Sequence, residues 1–214
     1  QPSISADGKL VAYSSDRGGA GNFDIWVQQM AGGDPIQVTR DPANDSEPAF
    51  SPDGSQIAFR SERAGGGIYV IPTLGGEPKL IAPQGRLPRF SPDGSQIAYG
   101  IGKGVTGLPW LFTPHIYVVA SHGGQARRLN SGLTASGVPV WAPDGRHFIC
   151  WGRHEADRDR DWWVVPVSDE PARRTRLRDI LVAHHLPTSY AKVNAWIGDR
   201  LIVSINRSEE HTSE

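Results

Sequence analysis

Hydrophobic residues along this chain occur in short alternating runs. Within residues 55–61, Ile57 and Phe59 alternate with smaller or polar residues, and residues 67–71 form an apolar run rich in β-branched and aromatic side chains. Alternation with a period of two predicts half-buried β-strands. Apart from a short stretch near 178–185, no segment shows a sustained period of roughly 3.6 residues with helix caps. The pattern therefore predicts an all-β protein.

Turn residues separate the predicted strands at regular places. The Pro-Asp-Gly sequence at 52–54 supplies a residue pre-set for a turn corner, a side-chain acceptor and a residue that tolerates positive φ. A Gly-Gly pair at 75–76 follows the third strand, and residues 77–82 form a fourth, with Pro78 expected at an outer edge. Residues 47–82 thus predict one four-stranded antiparallel unit.

This unit repeats along the chain. The sequence at 51–59 returns almost unchanged at 91–99, and looser copies lie at 5–13, 142–150 and 197–203. Their anchoring aspartates are 46, 40, 51 and 55 residues apart, against the roughly 40 to 50 residues of a propeller blade. The prediction is an incomplete β-propeller of four-stranded antiparallel blades. About four blades and the start of a fifth are expected at residues 2–39, 48–82, 88–130, 139–177 and 192–206.

The composition is typical of a folded domain, and it limits the classes of partner that we expect. The chain has 25 Gly and 17 Pro, but 38% of its residues are hydrophobic and 7 are Trp, which is too apolar for a disordered linker. Its net charge of -1 provides no overall field to attract nucleic acid or an anionic membrane. The single cysteine, Cys150, lies in an apolar run and is predicted to be a buried hydrophobic residue.

The residues at 48–59, Pro-x-Phe-Ser-Pro-Asp-Gly-Ser-x-Ile-Ala-Phe, followed by Ile-Tyr-Val and Gly-Gly, resemble the WD-like repeat of the TolB family. The repeat also occurs in tricorn-type protease propellers and, more loosely, in the propeller domains of prolyl oligopeptidases. The resemblance extends from residue 2 to about 206 and implies the propeller fold. Because loops determine function on such a fold, it implies less about activity.

Segments 14–18, 22–27 and 61–67 are most similar to propellers attached to bacterial serine/threonine kinases or winged-helix regulators. This resemblance implies a periplasmic or otherwise extracytoplasmic sensing module. The chain itself carries no kinase signature. Gln1 falls inside a repeat unit, and residues 207–214 resemble the translation of a widely used sequencing adapter. We therefore expect a partial propeller over residues 1–206, cut from a larger protein, followed by a non-native tail.

Acidic residues at the turns are assigned to structure. An aspartate before glycine in a hairpin hydrogen-bonds the backbone of its own turn. The four such pairs are Asp7 and Gly8, Asp53 and Gly54, Asp93 and Gly94, and Asp144 and Gly145. Residues 154–161 alternate acidic and basic side chains, as is typical of a solvated loop, and the histidine pair at 184–185 lacks further ligands. Neither a metal nor a cofactor is predicted.

Binding is the function that the sequence favours. No Gly-x-Ser-x-Gly motif is present, and no catalytic residue is predicted. Propellers bind where loops meet the channel mouth, and segments 44–47, 84–87 and 134–138 lead into the inner strands there. The insertion at 102–115 carries aromatic residues that either contact a partner or fold back onto the blade. The candidate ligand-binding residues are Asp45, Glu47, Arg86, Arg89, Trp110 and Phe112.

The predicted protein is a non-catalytic module that binds a protein or peptide, as the sensory or scaffolding part of a larger bacterial protein. A small ligand or a glycan is an alternative partner, whereas nucleic acid and membrane insertion are not expected. Two other functions stay open: the gating propeller of a prolyl-oligopeptidase-like serine peptidase whose catalytic domain is absent, and a TolB-like envelope protein that binds a lipoprotein. Unpaired blade edges also predict self-association.

Overall fold

The computed structural model of the protein forms two compact units, residues 1–129 and 130–214. The residues it describes are 2–102, 104–105, 108–112, 115–129, 132–136, 139–154, 160–168, 170–188 and 191–205, with the backbone alone at 104–105, 108–112 and 134–136. Among the described residues, no helix is both long enough and apolar enough to cross a membrane.

The first unit contains three four-stranded antiparallel sheets, which we call blades 1 to 3. Blade 1 comprises β1 (Ser3–Ile4), β2 (Leu10–Ser15), β3 (Asp24–Gln29) and β4 (Ile36–Gln37). Blade 2 comprises β5 (Asp45–Phe50), β6 (Gln56–Ser61), β7 (Gly67–Pro72) and β8 (Lys79–Pro83), with a 3-10 turn at Arg63–Gly65. Blade 3 begins with β9 (Arg86–Phe90) and β10 (Gln96–Ile101), is interrupted by the hairpin of β11 (Gly104–Val105) and β12 (Leu108–Phe112), and ends with β13 (His115–Ala120) and β14 (Arg127–Arg128).

Neighbouring blades of the first unit pack face to face. Successive residues of a strand point to opposite faces of the sheet. In blades 2 and 3 we call the face that packs on the preceding blade the front face and the opposite face the rear face, and we use the same names for the matching faces of blade 1. The first seam joins the rear-face residues Ala12, Ile25, Val27 and Val38 to the front-face residues Phe50, Ile57, Phe59, Tyr69 and Ile71. The second joins Ala58, Ile68, Val70, Ile81 and Ala82 to Phe90, Ile97, Tyr99 and Val119. Rear faces are thus made of small and branched aliphatic residues, whereas front faces carry the aromatic rings.

The second unit contains a fourth sheet and a separate hairpin. Its elements are β15 (Leu133–Ser136), β16 (Val140–Trp141), β17 (His147–His154), β18 (Asp161–Pro166), β19 (Arg173–Arg174), α1 (Leu177–Ala183), β20 (Ala191–Ile197) and β21 (Arg200–Ile205). Strands β15 and β16 both pair with β17, which continues to β18 and β19, while β20 and β21 pair with each other. Ile149, Trp162, Leu181 and Val193 form its core. Helix α1 lies where the sequence showed its only short helical pattern.

The predicted fold class, an all-β incomplete propeller with four-stranded antiparallel blades, is confirmed. Cys150 is buried in β17, and burial raises the pKa of its thiol to about 12. The last strands of blade 1, blade 3 and the fourth sheet are short. These strands, β4, β14 and β19, have two residues each. Strands β14 and β19 consist of exposed arginines, and the longer β8 begins at exposed Lys79 and ends at exposed Pro83.

Candidate functional site

The segment leading into β5 is held in place by backbone and amide hydrogen bonds. The Asp45 amide donates to the Phe23 carbonyl at 2.7 Å, and the Phe23 amide donates to Asn44 Oδ1 at 3.0 Å. Asn22 Nδ2 donates to the Asp41 carbonyl at 2.8 Å. Blade 1 therefore fixes the path by which the polypeptide reaches the first strand of blade 2.

Asp45 is fully buried and forms an ion pair with Arg63. Arg63 Nη2 donates to Asp45 Oδ2 at 2.6 Å, and Arg63 Nε donates to Ser61 Oγ at 2.7 Å. The guanidinium lies over the rings of Phe59 and Tyr69, 5.7 and 5.2 Å from their centroids. Burial raises the pKa of Asp45, and hydrogen bonds and Arg63 oppose that shift. Of its two oxygens, Oδ1 has no hydrogen bond among the described residues. The structure thus places Asp45 inside the blade.

Glu47 joins blade 2 to blade 3. Its Oε1 accepts from Arg86 Nη2 at 3.0 Å and from Arg86 Nε at 3.3 Å, while Oε2 accepts from the Leu87 amide at 2.6 Å. We call these three hydrogen bonds the Glu47 clasp. Glu47 has φ +58°, and the pairing register of β5 shifts between Ser46 and Ala49, which marks a β-bulge. Such a backbone conformation costs a non-glycine residue about 1–3 kcal/mol, so the clasp helps to hold the bulge.

The same bulge position recurs in blade 3. Leu87 occupies the position of Glu47, also precedes a proline and also has a positive φ, +54°. A side chain at Gly85 would bring a Cβ within 2.5 Å of Tyr99 Cδ2, so this approach requires glycine. Arg89 is half-buried and its Nη1 donates to the Pro88 carbonyl at 2.7 Å. Burial lowers the pKa of Arg89, and the charge of Glu47 opposes that shift.

The structure therefore brings together three of the six predicted residues. Glu47 lies on β5, and Arg86 and Arg89 lie on β9. These are the first, inner strands of blades 2 and 3, and the three side chains carry a net positive charge. Trp110 and Phe112 belong to β12, but their side chains lie outside the described residues. A role in ligand binding stays a prediction for all six residues.

The turn aspartates accept hydrogen bonds from their own hairpins. Asp7, Asp53 and Asp93 each accept from the serine two residues earlier, at 2.6, 2.6 and 2.5 Å, and from the amide two residues later at 3.1 Å. In the fourth copy alanine replaces that serine, and Asp144 contacts His147 Nδ1 at 2.7 Å instead. The following residues, Gly8, Gly54, Gly94 and Gly145, all have positive φ. Hydrogen bonds from Ser51 and Ser55 lower the pKa of Asp53 to about 2.

Replacing Asp53 with asparagine should change how stability depends on pH. Because the Asp53 pKa falls from 3.8 to about 2 on folding, its contribution is present above the unfolded value and is lost as pH falls toward about 2. Asp53→Asn should therefore be less stable than the natural protein above about pH 4, and the difference should shrink toward pH 2. Urea unfolding at a series of pH values measures this. Asp34→Asn, at an exposed carboxylate outside these turns, controls for net charge, and a constant difference between Asp53→Asn and the natural protein down to pH 2 would contradict the prediction.

Two buried carboxylates were not given a structural role by the sequence reasoning. Asp24 begins β3, where it accepts from Gln37 Nε2 at 2.9 Å and Thr39 Oγ1 at 3.2 Å. Asp161 begins β18, where it accepts from Arg174 Nε at 2.7 Å. Both aspartates therefore hold the last strand of their blade. The sequence feature that could have indicated their shared role is the recurrence of Asp-Ile-Trp-Val at 24–27 as Asp-Trp-Trp-Val at 161–164.

Asp161 was interpreted as part of a solvated polar loop, and its complete burial corrects this.

Among the described residues, no three acidic, histidine or cysteine side chains are grouped so that they could hold a metal ion. Residues 155–159 of the polar loop lie outside the described part. An open surface pocket of about 640 Å³ lies in blade 1 beside the Asp7 turn and is lined partly by Leu10 and Met30.

Four-stranded antiparallel blades that pack face to face define an incomplete β-propeller. Residues 1–104 match the family model described as the TolB beta propeller domain. The chain thus has the β-propeller fold, and its first half is similar to TolB-type propellers. No curated protein matches it.

Solved structures agree on the fold. TolB from Acinetobacter baumannii is similar over 96% of this chain and 50% of its own, with 20% identity and a TM-score of 0.66. The β-propeller domain of the Trilobed protease from Pyrococcus furiosus is similar over 97% and 65%, with 13% identity and a TM-score of 0.63. An acylaminoacyl peptidase from Pyrococcus horikoshii is similar over 84% and 32%, with 15% identity and a TM-score of 0.57. The present protein spans half the length of the TolB structure and about a third of the peptidase.

Proposed function

We propose that this protein is a non-catalytic module that binds a protein or peptide through the segments leading into its inner strands. The observation that carries the proposal is that Arg86 and Arg89 lie close to Glu47, which accepts the hydrogen bonds of the Glu47 clasp. Bulges and strained backbone concentrate at functional sites. Two consecutive blades here hold a non-glycine residue at positive φ at the same inner position.

The charges of this group favour an acidic partner segment. The Arg86 side chain keeps 31% of its surface accessible, whereas that of Glu47 keeps 11%. A solvent-borne carboxylate therefore reaches the guanidinium more easily than a cation reaches Glu47. Arginine binds carboxylates in a planar, two-point geometry. An aspartate, a glutamate or the terminal carboxylate of the partner would share Arg86 with Glu47, while Arg89 adds positive charge nearby.

The test compares an acidic peptide with its amide counterpart, in which Asn and Gln replace Asp and Glu. Fluorescence polarisation at two salt concentrations should show that this protein prefers the acidic peptide and that salt weakens the binding. Arg86→Gln should weaken it by about tenfold, as expected for the loss of one charge-assisted contact. Arg128→Gln removes the same charge from exposed β14 and should leave the affinity unchanged. Equal affinity for both peptides, or equal losses in both variants, would refute the proposal.

A second candidate function is the gating propeller of a serine peptidase. The observation in its favour is the fold likeness to propellers that belong to proteases, at 13% and 15% identity. Translation of the intact gene around this segment separates the two. A downstream Gly-x-Ser-x-Gly elbow would support the peptidase, whereas an upstream kinase or winged-helix domain with a membrane span would support an extracytoplasmic sensor.

A further inference from the structure

Arg86 already has a carboxylate partner within the protein. Glu47 Oε1 accepts from Arg86 Nη2 at 3.0 Å and from Arg86 Nε at 3.3 Å, and Glu47 Oε2 accepts from the Leu87 amide at 2.6 Å. Nε and Nη2 form one of the edges through which a guanidinium makes a two-point contact with a carboxylate. A carboxylate that arrives from a partner must therefore share Arg86 with Glu47 or displace it.

The backbone of β5 does not require a carboxylate at this position. Leu87 holds the matching position of blade 3, where it also precedes a proline and has a φ of +54° without an acidic side chain. A bulge residue with positive φ is therefore compatible with an apolar side chain as well. The carboxylate of Glu47 instead adds an ion pair and a hydrogen bond to the next blade.

The charge of Glu47 is placed where solvent screens it weakly. The Glu47 side chain is only 11% exposed, whereas the side chain of Arg86 is 31% exposed. Charges in partly buried positions are screened by salt less than exposed charges are. Glu47 therefore repels a second carboxylate at Arg86 more strongly than a glutamate on the open surface would.

We propose, on the basis of the function proposed above, that Glu47 is an internal competitor that sets the affinity of this protein for the partner's carboxylate. When both carboxylates are present, two negative charges face one guanidinium, and each weakens the other's contact with Arg86. Binding of an acidic segment consequently loosens the Glu47 clasp between blades 2 and 3. Removal of the Glu47 charge leaves Arg86 to the partner alone.

The test measures how Glu47→Gln binds the acidic peptide and its amide counterpart, by fluorescence polarisation. Glutamine keeps the length of the side chain and the same backbone strain, so the variant removes chiefly the charge. It should bind the acidic peptide about tenfold more tightly than the natural protein does, and the amide counterpart with unchanged affinity.

Glu62→Gln is the matched control. Glu62 also pairs with an arginine, Arg60, at 3.0 Å, but its side chain is 45% exposed. Because solvent and salt screen this charge, its removal should leave the affinity for both peptides unchanged. An equal gain in Glu62→Gln and Glu47→Gln would mean that only the net charge of the protein matters, and it would refute the proposal.

The gain in affinity should also depend on Arg86. The double variant Glu47→Gln/Arg86→Gln should bind the acidic peptide no more tightly than Arg86→Gln, because no guanidinium is left for the two carboxylates to compete for. If Glu47→Gln increases the affinity by the same factor with and without Arg86, Glu47 acts by general repulsion and is not a competitor at this site.

A measurement on the natural protein is independent of the stability of these variants. NMR of the side-chain carboxyl carbons should show that saturation with the acidic peptide shifts the resonance of Glu47 and leaves that of Glu62 in place. An unchanged Glu47 resonance, or equal affinities of Glu47→Gln and the natural protein for the acidic peptide, would overturn the proposal. Either result would leave the proposed function intact if Arg86→Gln still weakens binding, whereas absence of any preference for the acidic peptide would refute both.

Discussion

Replacing Phe59 with alanine should lower the free energy of unfolding by about 3–5 kcal/mol. Phe59 is completely buried in the seam between blades 1 and 2, and its ring centroid lies 6.0 Å from that of Tyr69. It also supports the guanidinium of Arg63 at 5.7 Å. Truncation removes the burial of a whole ring and leaves a cavity between two sheets, which close packing on both sides prevents from collapsing.

The matched control is Tyr13→Ala, which truncates an aromatic residue at the same repeat position in blade 1. Tyr13 is half-buried on the exposed front face, so its truncation should cost less than about half as much, because less apolar area leaves contact with the protein. Urea unfolding followed by tryptophan fluorescence measures both losses. Equal losses for the two variants would show that the first seam contributes little to stability and would contradict the prediction.

Replacing Asp45 with alanine should cost about 3–5 kcal/mol, since it leaves a mostly buried guanidinium with only the more distant carboxylate of Asp41, at 4.0 Å. The side chains of Asp45 and Arg63 are 0% and 16% exposed, so water cannot fully replace the lost carboxylate. Asp45→Ala also removes the carboxylate acceptor that helps to fix Arg63 over the rings of Phe59 and Tyr69. Chemical unfolding at neutral pH provides the measurement.

A double-mutant cycle separates the ion pair from the packing around it. Arg63→Met keeps an apolar stem over the two rings but removes the charge, so the double variant Asp45→Ala/Arg63→Met should recover much of the loss seen in Asp45→Ala. The interaction free energy obtained from the four proteins should be favourable by more than about 1 kcal/mol. Additive effects would mean that the pair contributes no net stability beyond the separate side chains.

The features predicted correctly from the sequence were those that depend on residues close together along the chain. Pro-Asp-Gly turns and alternating strands are local, and the near-identity of 51–59 and 91–99 made the repeat visible. The partner of Arg63 was not visible, because Asp45 lies 18 residues earlier and no local rule joins them. Asp161 was misread for the same reason: its partner Arg174 lies 13 residues further on, in the last strand of the blade.

The conformation of Glu47 conflicts with a local rule. A residue before proline is biased toward extended conformations, yet both Glu47 and Leu87 precede proline and have positive φ. The bulges and the Glu47 clasp override this preference, and they depend on strands that meet only after the blades pack. The sequence therefore indicated that acidic and basic residues gather at the inner strands, but it did not indicate that Glu47 reaches across to the next blade.

The short last strands limit the ways in which this protein can associate with other molecules. A long, flat outer strand offers backbone donors and acceptors to any extended peptide and permits open-ended growth. Here β4, β14 and β19 have two residues each, and β14 and β19 consist of exposed arginines, whose charged side chains disfavour the addition of another strand. Association by indiscriminate strand addition is thereby disfavoured at the last strands of blade 1, blade 3 and the fourth sheet. A partner that binds elsewhere must then be recognised by its side chains rather than by pairing of its backbone.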